Sequence, residues 1–270
     1  QLIAALQAVG IEPGDGLLVH SALQFLGQPA GGVGMYYLAL RAVLDGGETG
    51  ENKTVKPQSL IPDLQLIHGT LAVPTFNFAF ARGEPYDPLT TPSQGMGAFS
   101  EHVRTLPGAR RTPHPMQSLA VIGHHAADLA GRDTPSAFDP GSAFERMLDL
   151  DFKLLLLGAD IQAVSLLHYS EQRFNVPYRY WKDFSGQVHT AAGWQARTYR
   201  MFVRDLELDP RIELYPVQGL LESRGQWRST AVNYGRVAAC RLVDFTAAVD
   251  EFLARDPWSL VTNPPTDLHR

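Results

Sequence analysis

Cysteine is almost missing from this 270-residue chain: Cys240 stands alone. One thiol excludes both an internal disulfide framework and a cysteine-based zinc cluster. Charge is sparse as well, at 19% of residues, and 23 Lys and Arg against 28 Asp and Glu leave a formal −5 at pH 7. With no basic run or arginine-rich face, the chain lacks the charge that binding to duplex nucleic acid requires. Long hydrophobic runs are missing too. A membrane span needs about 20 consecutive apolar residues, and stretches such as Leu154 to Leu157 fall far short, so no membrane partner is expected. No basic segment leads into an apolar one near Gln1, and the expectation is a soluble, cytoplasmic protein. Internal repeats and low-complexity tracts are also lacking. What the chain does have is 44% hydrophobic residues, enough for a large core, and it is expected to form one domain over 1–270.

Helical spacing of apolar residues runs from Leu2 to Val9 and stops at Gly10. After the turn Glu12-Pro13-Gly14-Asp15-Gly16, Leu17 to His20 reads as a buried strand. Further helices are expected at Tyr36 to Leu44, Gly97 to Thr105, His124 to Ala130 and Asp244 to Leu253. Strands are expected at Gly69 to Phe76, Gln117 to Ile122 and Phe152 to Leu157. Strand, helix and strand in succession point to an α/β fold with a mostly parallel central sheet flanked by helices. Gly46 to His68 is polar at first and reads as a surface excursion. From about residue 186 the pattern changes: alternation at Trp194 to Val203 and again at Ile212 to Val217 predicts a β-rich, antiparallel C-terminal part.

Chemistry concentrates in Ser165-Leu166-Leu167-His168-Tyr169-Ser170-Glu171. On a helix, His168 and Glu171 share a face, and Ser165 lies one turn earlier. A carboxylate beside an imidazole supplies what a general base requires: a fixed tautomer, an aimed lone pair and a stabilised imidazolium. The same pair on a solvated helix face would be an ordinary surface contact. A zinc site would need a third ligand, and His124-His125, adjacent on a helix, point in different directions, so no metal is expected. A serine hydrolase could use Ser21 with His168 and Glu171, but His20-Ser21-Ala22-Leu23 lacks the Gly-x-Ser-x-Gly elbow. Arg110-Arg111-Thr112-Pro113-His114-Pro115 could grip phosphate through its guanidiniums, or simply brace a crossover. Gly31-Gly32-Val33-Gly34 is either a phosphate cradle at a helix start or a turn. Asn77, Phe78 and Asp87 follow a strand, where open α/β sheets bind ligands, and would suit a cationic, polyhydroxylated substrate. They could equally anchor a loop.

Taken together, Val19-His20-Ser21-Ala22-Leu23, Gly69 to Thr75, Thr91 to Gly97, Arg110 to Pro115, Leu155 to Gly158 and Ser165 to Glu171 resemble the aminoglycoside 3-N-acetyltransferase family, from about Val9 to Leu260. The resemblance implies a non-GNAT α/β acyltransferase that moves an acyl group from acetyl-coenzyme A to an amine of an aminoglycoside or related amino sugar. It places the catalytic base at His168, its support at Glu171, and Ser165 where the motif has Thr or Ser. The coenzyme would lie along Ser21, Ala22, Leu23, Arg111, Thr112 and His114; Ala22 and Thr112 stand where the family has Ser. A homologue that binds coenzyme A or sugar without turnover, and a serine-type hydrolase of acylated sugars, are the alternatives.

Overall fold

The computed structural model describes residues 1–46 and 68–265. Between its two ends, the stretch from Gly46 to His68 expected as a surface excursion lies outside the described residues. A short helix, α1 (Leu2–Ala8), leads into strand β1 (Gly16–Ser21), and α2 (Gly34–Leu44) precedes β2 (Thr70–Pro74). Then come α3 (Gly97–Arg104), β3 (Arg110–Arg111), β4 (Leu119–Gly123), α4 (Ala126–Ala130), α5 (Ala143–Asp149), β5 (Lys153–Leu157) and α6 (Leu167–Arg173). Two long strands, β6 (Arg179–Thr190) and β7 (Gly193–Arg204), are followed by α7 (Tyr215–Ser223), β8 (Arg228–Val232), β9 (Gly235–Arg241) and α8 (Leu242–Arg255).

Seven strands form the central sheet in the order β3-β4-β2-β1-β5-β9-β8. The α/β class holds, with a correction to the pairing. β1 runs parallel to β2 and β5, whereas every pairing further out is antiparallel. The outermost pairs, β3 with β4 and β8 with β9, are joined without an intervening helix: β8 turns into β9 through Asn233-Tyr234 alone, and so short a connection permits only antiparallel neighbours.

Both faces of the sheet are covered, and the pleat sorts the side chains between them. Leu17, Val19, Leu71, Val73, Leu155 and Leu157 pack on one side with Leu6, Leu40, Leu44, Phe99 and Val103 of α1, α2 and α3. Leu18, Ala72, Leu154, Leu156 and Cys240 pack on the other side with Leu129, Phe144, Met147, Leu167, Val217 and Phe245 of α4 to α8. Helix α5 had no sequence expectation. Its start is nonetheless encoded, because Ser142 Oγ accepts the Glu145 N–H and the Glu145 side chain accepts from Gly141 N–H at 2.6 Å, a variant of the capping box.

The C-terminal part departs from its expectation in one place. β6 and β7 make a two-stranded antiparallel arm, as the alternation predicts, but Ile212 to Val217 does not continue it. Pro216 in the first turn starts α7 instead, which buries Val217 and Leu221 one turn apart; proline is favoured at a helix start and removes a ladder donor from a strand.

Candidate active site

A cleft of about 330 Å³ opens where the parallel strands β1 and β2 end, the position at which open α/β sheets take ligands. Its walls come from His20, Ser21, Ala22 and Gln24 after β1, Pro74 and Phe76 after β2, Gly95, Met96, Gly97 and Ser100 around the start of α3, and Ala163 and Ser165 beyond β5. One glycine makes this convergence possible. Gly158, which ends β5 at φ +70°, lies so close to the β1 loop that a Cβ there would sit 2.6 Å from the Ala22 carbonyl oxygen, and that φ is readily reached only without a side chain.

Two polar groups lining the cleft are buried without a protein partner: Ser165 Oγ and His20 Nε2. Burial lowers His20 to about 4, so its ring is neutral at physiological pH. Buried polar atoms normally find hydrogen bonds, and orphans on a cleft wall are available to a ligand. An amide-bearing, thioester-containing chain such as the arm of acetyl-coenzyme A supplies both donors and acceptors, so the donor set fits. The Ala22 amide, in contrast, already donates to the Leu157 carbonyl at 2.9 Å.

One turn beyond Ser165, α6 carries the ionisable pair. His168 Nδ1 lies 2.6 Å from Glu171 Oε2. The Glu171 side chain is fully buried, while 32% of the His168 side chain is exposed, which leaves the ring reachable from outside and its partner shielded. A proton must lie between Nδ1 and Oε2 at that distance, so Nδ1 carries it, and in the neutral ring the lone pair is then on Nε2. Burial alone would push the Glu171 carboxyl up, but the His168 hydrogen bond and the Arg179 charge outweigh it and hold the group below the usual carboxylate range. Arg179 Nε stands 2.9 Å from Glu171 Oε2, and the Phe138 ring meets the imidazole edge-on at 6.0 Å.

The structure brings Ser21, Ala22 and Ser165 together in the cleft, with His168 and Glu171 on the adjoining helix. Leu23 instead packs against the core under α1 and α2. The expected guanidinium grip is corrected: Arg111 is buried, and each of its three nitrogens donates within the protein, Nε to Thr75 Oγ1 and Ser118 Oγ, Nη1 to the Thr91 carbonyl and Nη2 to the Thr75 carbonyl. Thr112 Oγ1 accepts from Leu119 N–H at 2.8 Å. His114 is buried between Gln117 N–H and the Arg200 carbonyl. Proline bracing turned this loop inward, where its polar atoms tie β4 to β2. Asn77 likewise holds its own loop, donating to the Pro92 carbonyl and accepting from Ala79 N–H. Asp87 accepts from Leu89 N–H and Thr90 Oγ1, while Phe78 stays partly exposed beside Phe76 at 6.5 Å. The Gly31 to Gly34 cluster starts α2 away from this cleft's lining. His124 and His125 meet edge to face at 4.6 Å, and among the described residues no three His, Cys, Asp or Glu side chains cluster as metal ligands. Nor, among those residues, is any helix long and apolar enough to cross a membrane.

Three contributors had no place in the sequence-derived site. His20 hid inside an apolar strand. Gly95-Met96-Gly97 read as a helix entry within the Thr91 to Gly97 segment, and both glycines sit at positive φ, +72° and +81°, where a side chain is disfavoured. Arg179 lies beyond the His-x-x-Glu spacing, and only Pro177 before it signals that the chain turns back.

The chain is similar to known proteins both in sequence and in fold. A family model described as aminoglycoside 3-N-acetyltransferase matches residues 18–254. Aminoglycoside N(3)-acetyltransferase III of Salmonella sp is 32% identical over 182 residues, covering 67% of this chain and 62% of that protein. The alignment thus spans less than two thirds of that relative's length. Aminoglycoside N(3)-acetyltransferase VIII of Streptomyces fradiae is 30% identical over 260 residues, 94% of this chain and 80% of that one. Among solved structures, AAC-IIIb in its binary complex with CoASH shares the fold with a TM-score of 0.77 at 22% identity, covering 94% of this chain and 95% of that chain.

Proposed function

The chain belongs to the aminoglycoside 3-N-acetyltransferase family, and from that premise we propose that it transfers an acetyl group from acetyl-coenzyme A to an amine of an aminoglycoside or related amino sugar. The observation that carries the reading is the short contact between a reachable imidazole and a fully buried carboxylate, one turn from the cleft.

The acceptor amine is an ammonium ion at neutral pH and has no lone pair. His168 Nε2 takes its proton, and Glu171 stabilises the imidazolium through Nδ1. The freed nitrogen forms its bond to the thioester carbonyl carbon while negative charge builds on the carbonyl oxygen. That charge needs a donor already in place. The Ala22 amide is engaged with Leu157, which leaves the unpartnered Ser165 hydroxyl and the amides at the start of α3, which lack intrahelical partners. The carbon–sulfur bond then breaks, His168 returns its proton to the departing sulfur, and the newly acylated nitrogen sheds its second proton to water. Amide and thiol are the products.

Ser21 makes no hydrogen bond to an imidazole among the described residues, which disfavours it as a nucleophile. Thiol release from acetyl-coenzyme A, measured with and without an aminoglycoside panel, separates the readings. Release that requires an amine supports transfer. Release without amine supports hydrolysis, and binding without release supports an inactive homologue. In the transferring enzyme, His168→Ala lowers kcat by about 10²- to 10⁴-fold with little change in coenzyme affinity; near-normal turnover would remove His168 from the mechanism. Glu171→Gln gives a smaller loss.

A further inference from the structure

Among the described residues, Arg179 is the one charged side chain that touches both members of the pair and the arm. Its Nε lies 2.9 Å from Glu171 Oε2 as an ion pair whose N–H is not aligned for a hydrogen bond, Nη2 lies 3.2 Å from His168 Nδ1, and Nη1 donates to the Phe202 carbonyl on β7 at 3.2 Å. The local chain geometry delivers it there. α6 ends in a left-handed residue, Asn175 at φ +46°, with Val176 N–H bonded to the Glu171 carbonyl and Asn175 N–H to the Gln172 carbonyl. This is the Schellman pattern of helix termination. Pro177 and Tyr178 then form a turn that Arg179 N–H closes on the Val176 carbonyl at 3.4 Å, and β6 begins with Arg179 alongside the helix the chain has just left.

A carboxylate with no exposed surface keeps its charge only beside a compensating one. His168 holds that charge through its hydrogen bond at 2.6 Å, and Arg179 adds a permanent cation beside it. The same guanidinium constrains the ring, since a nitrogen faced by both Oε2 and Nη2 must either give a proton to the carboxylate or accept one from the cation. At 2.6 Å the carboxylate wins, because the ion–dipole bond to it is shorter and stronger. Tyr178, whose hydroxyl is buried without a partner and whose phenol is raised by burial and then by the Glu171 charge, is the remaining titratable group against Glu171.

We propose that Arg179 is the positioning residue of this site, pinning the Glu171 carboxylate against His168 Nδ1 and thereby fixing the tautomer that leaves Nε2 free. The proposal rests on His168 being the base. A planar fork is required, because one side chain must meet a carboxylate, pass a ring nitrogen and reach a carbonyl, which a lysine ammonium cannot do at once.

The test is a double-mutant cycle between Arg179→Gln and His168→Ala, read as kcat and KM for acetyl-coenzyme A with the aminoglycoside that gives the fastest thiol release. Arg179→Gln lowers kcat about 10- to 100-fold with KM within about twofold, and in the His168→Ala background it causes no further loss. Arg179→Lys, keeping the charge without the fork, recovers part of kcat. Should the glutamine variant fail to fold, the lysine variant carries the test and must lose kcat at unchanged KM and melting temperature. An equal loss in both backgrounds, or wild-type kcat in Arg179→Gln, overturns the positioning role alone. Full turnover in His168→Ala overturns the base reading and this proposal with it.

Discussion

His114 sets an acid limit on the fold that can be measured directly. The ring is buried, its Nδ1 accepts from Gln117 N–H at 3.1 Å, and its Nε2 donates to the Arg200 carbonyl at 3.3 Å. The Tyr199 ring closes the site edge-on at 5.1 Å. Protonation would put a second hydrogen on Nδ1 and break the Gln117 bond. Burial accordingly lowers the group from 6.5 to about 4, against smaller opposing pulls from the Arg200 carbonyl and Asp139. A folded value below the unfolded one means that the unfolded chain binds the proton first. The stabilisation is complete above about 6.5 and is lost as pH falls toward about 4, amounting to about 3 kcal/mol. His20, lowered to about 4 as well, titrates in the same window, so the wild type loses stability with the steepness of two protons. His114→Gln removes one. Urea unfolding followed by tryptophan fluorescence at steps between pH 7 and pH 4 reads the difference. Whatever offset separates the two proteins at pH 7, the glutamine variant gains on the wild type by about 3 kcal/mol on acidification. Stability curves that stay parallel across that range would refute the reasoning.

Two other substitutions test the cleft and its surroundings. Gly158→Ala forces a Cβ against the Ala22 carbonyl at an unfavourable φ; it costs about 1–3 kcal/mol and raises KM for acetyl-coenzyme A, measured by melting and by thiol release, and an unchanged KM would show that the β1 loop does not shape the thioester site. Arg111→Met leaves the Thr91 carbonyl without its guanidinium donor and the Thr75 carbonyl with Ser118 Oγ alone and lowers stability by about 3 kcal/mol, with coenzyme affinity within about twofold by calorimetry. A large affinity loss at unchanged stability would restore the phosphate grip.

The strands of the sheet's centre were legible because they are buried on both faces, so Leu17 to Val19, Leu71 to Val73 and Leu154 to Leu157 read as unbroken apolar runs. The direction of their neighbours was not, since the pairing of β4 and β9 depends on connections rather than on residue pattern. Ile212 to Val217 misled because Ile212 and Leu214 alternate just before Pro216 hands the chain to a helical repeat. At the site, His168 and Glu171 were visible through their spacing together with the family motif that Ser165 to Glu171 resembles. Arg111, Thr112, His114 and Asn77 looked like binding groups because they are polar, and only the structure reveals whether a polar side chain faces a cleft or completes a buried network. His20 was invisible for the opposite reason, a polar residue within an apolar strand.

The Schellman turn at Asn175 confines His168, Glu171 and Arg179 to one short contiguous segment, whereas the cleft wall is assembled from four separated stretches of chain. Proton handling is therefore a local cassette, and thioester recognition is a global property of the sheet. Loosening of the distant stretches would cost the protein its acyl donor while its acid–base apparatus stayed intact, so partial unfolding should abolish donor capture before it abolishes the ring's ability to exchange a proton.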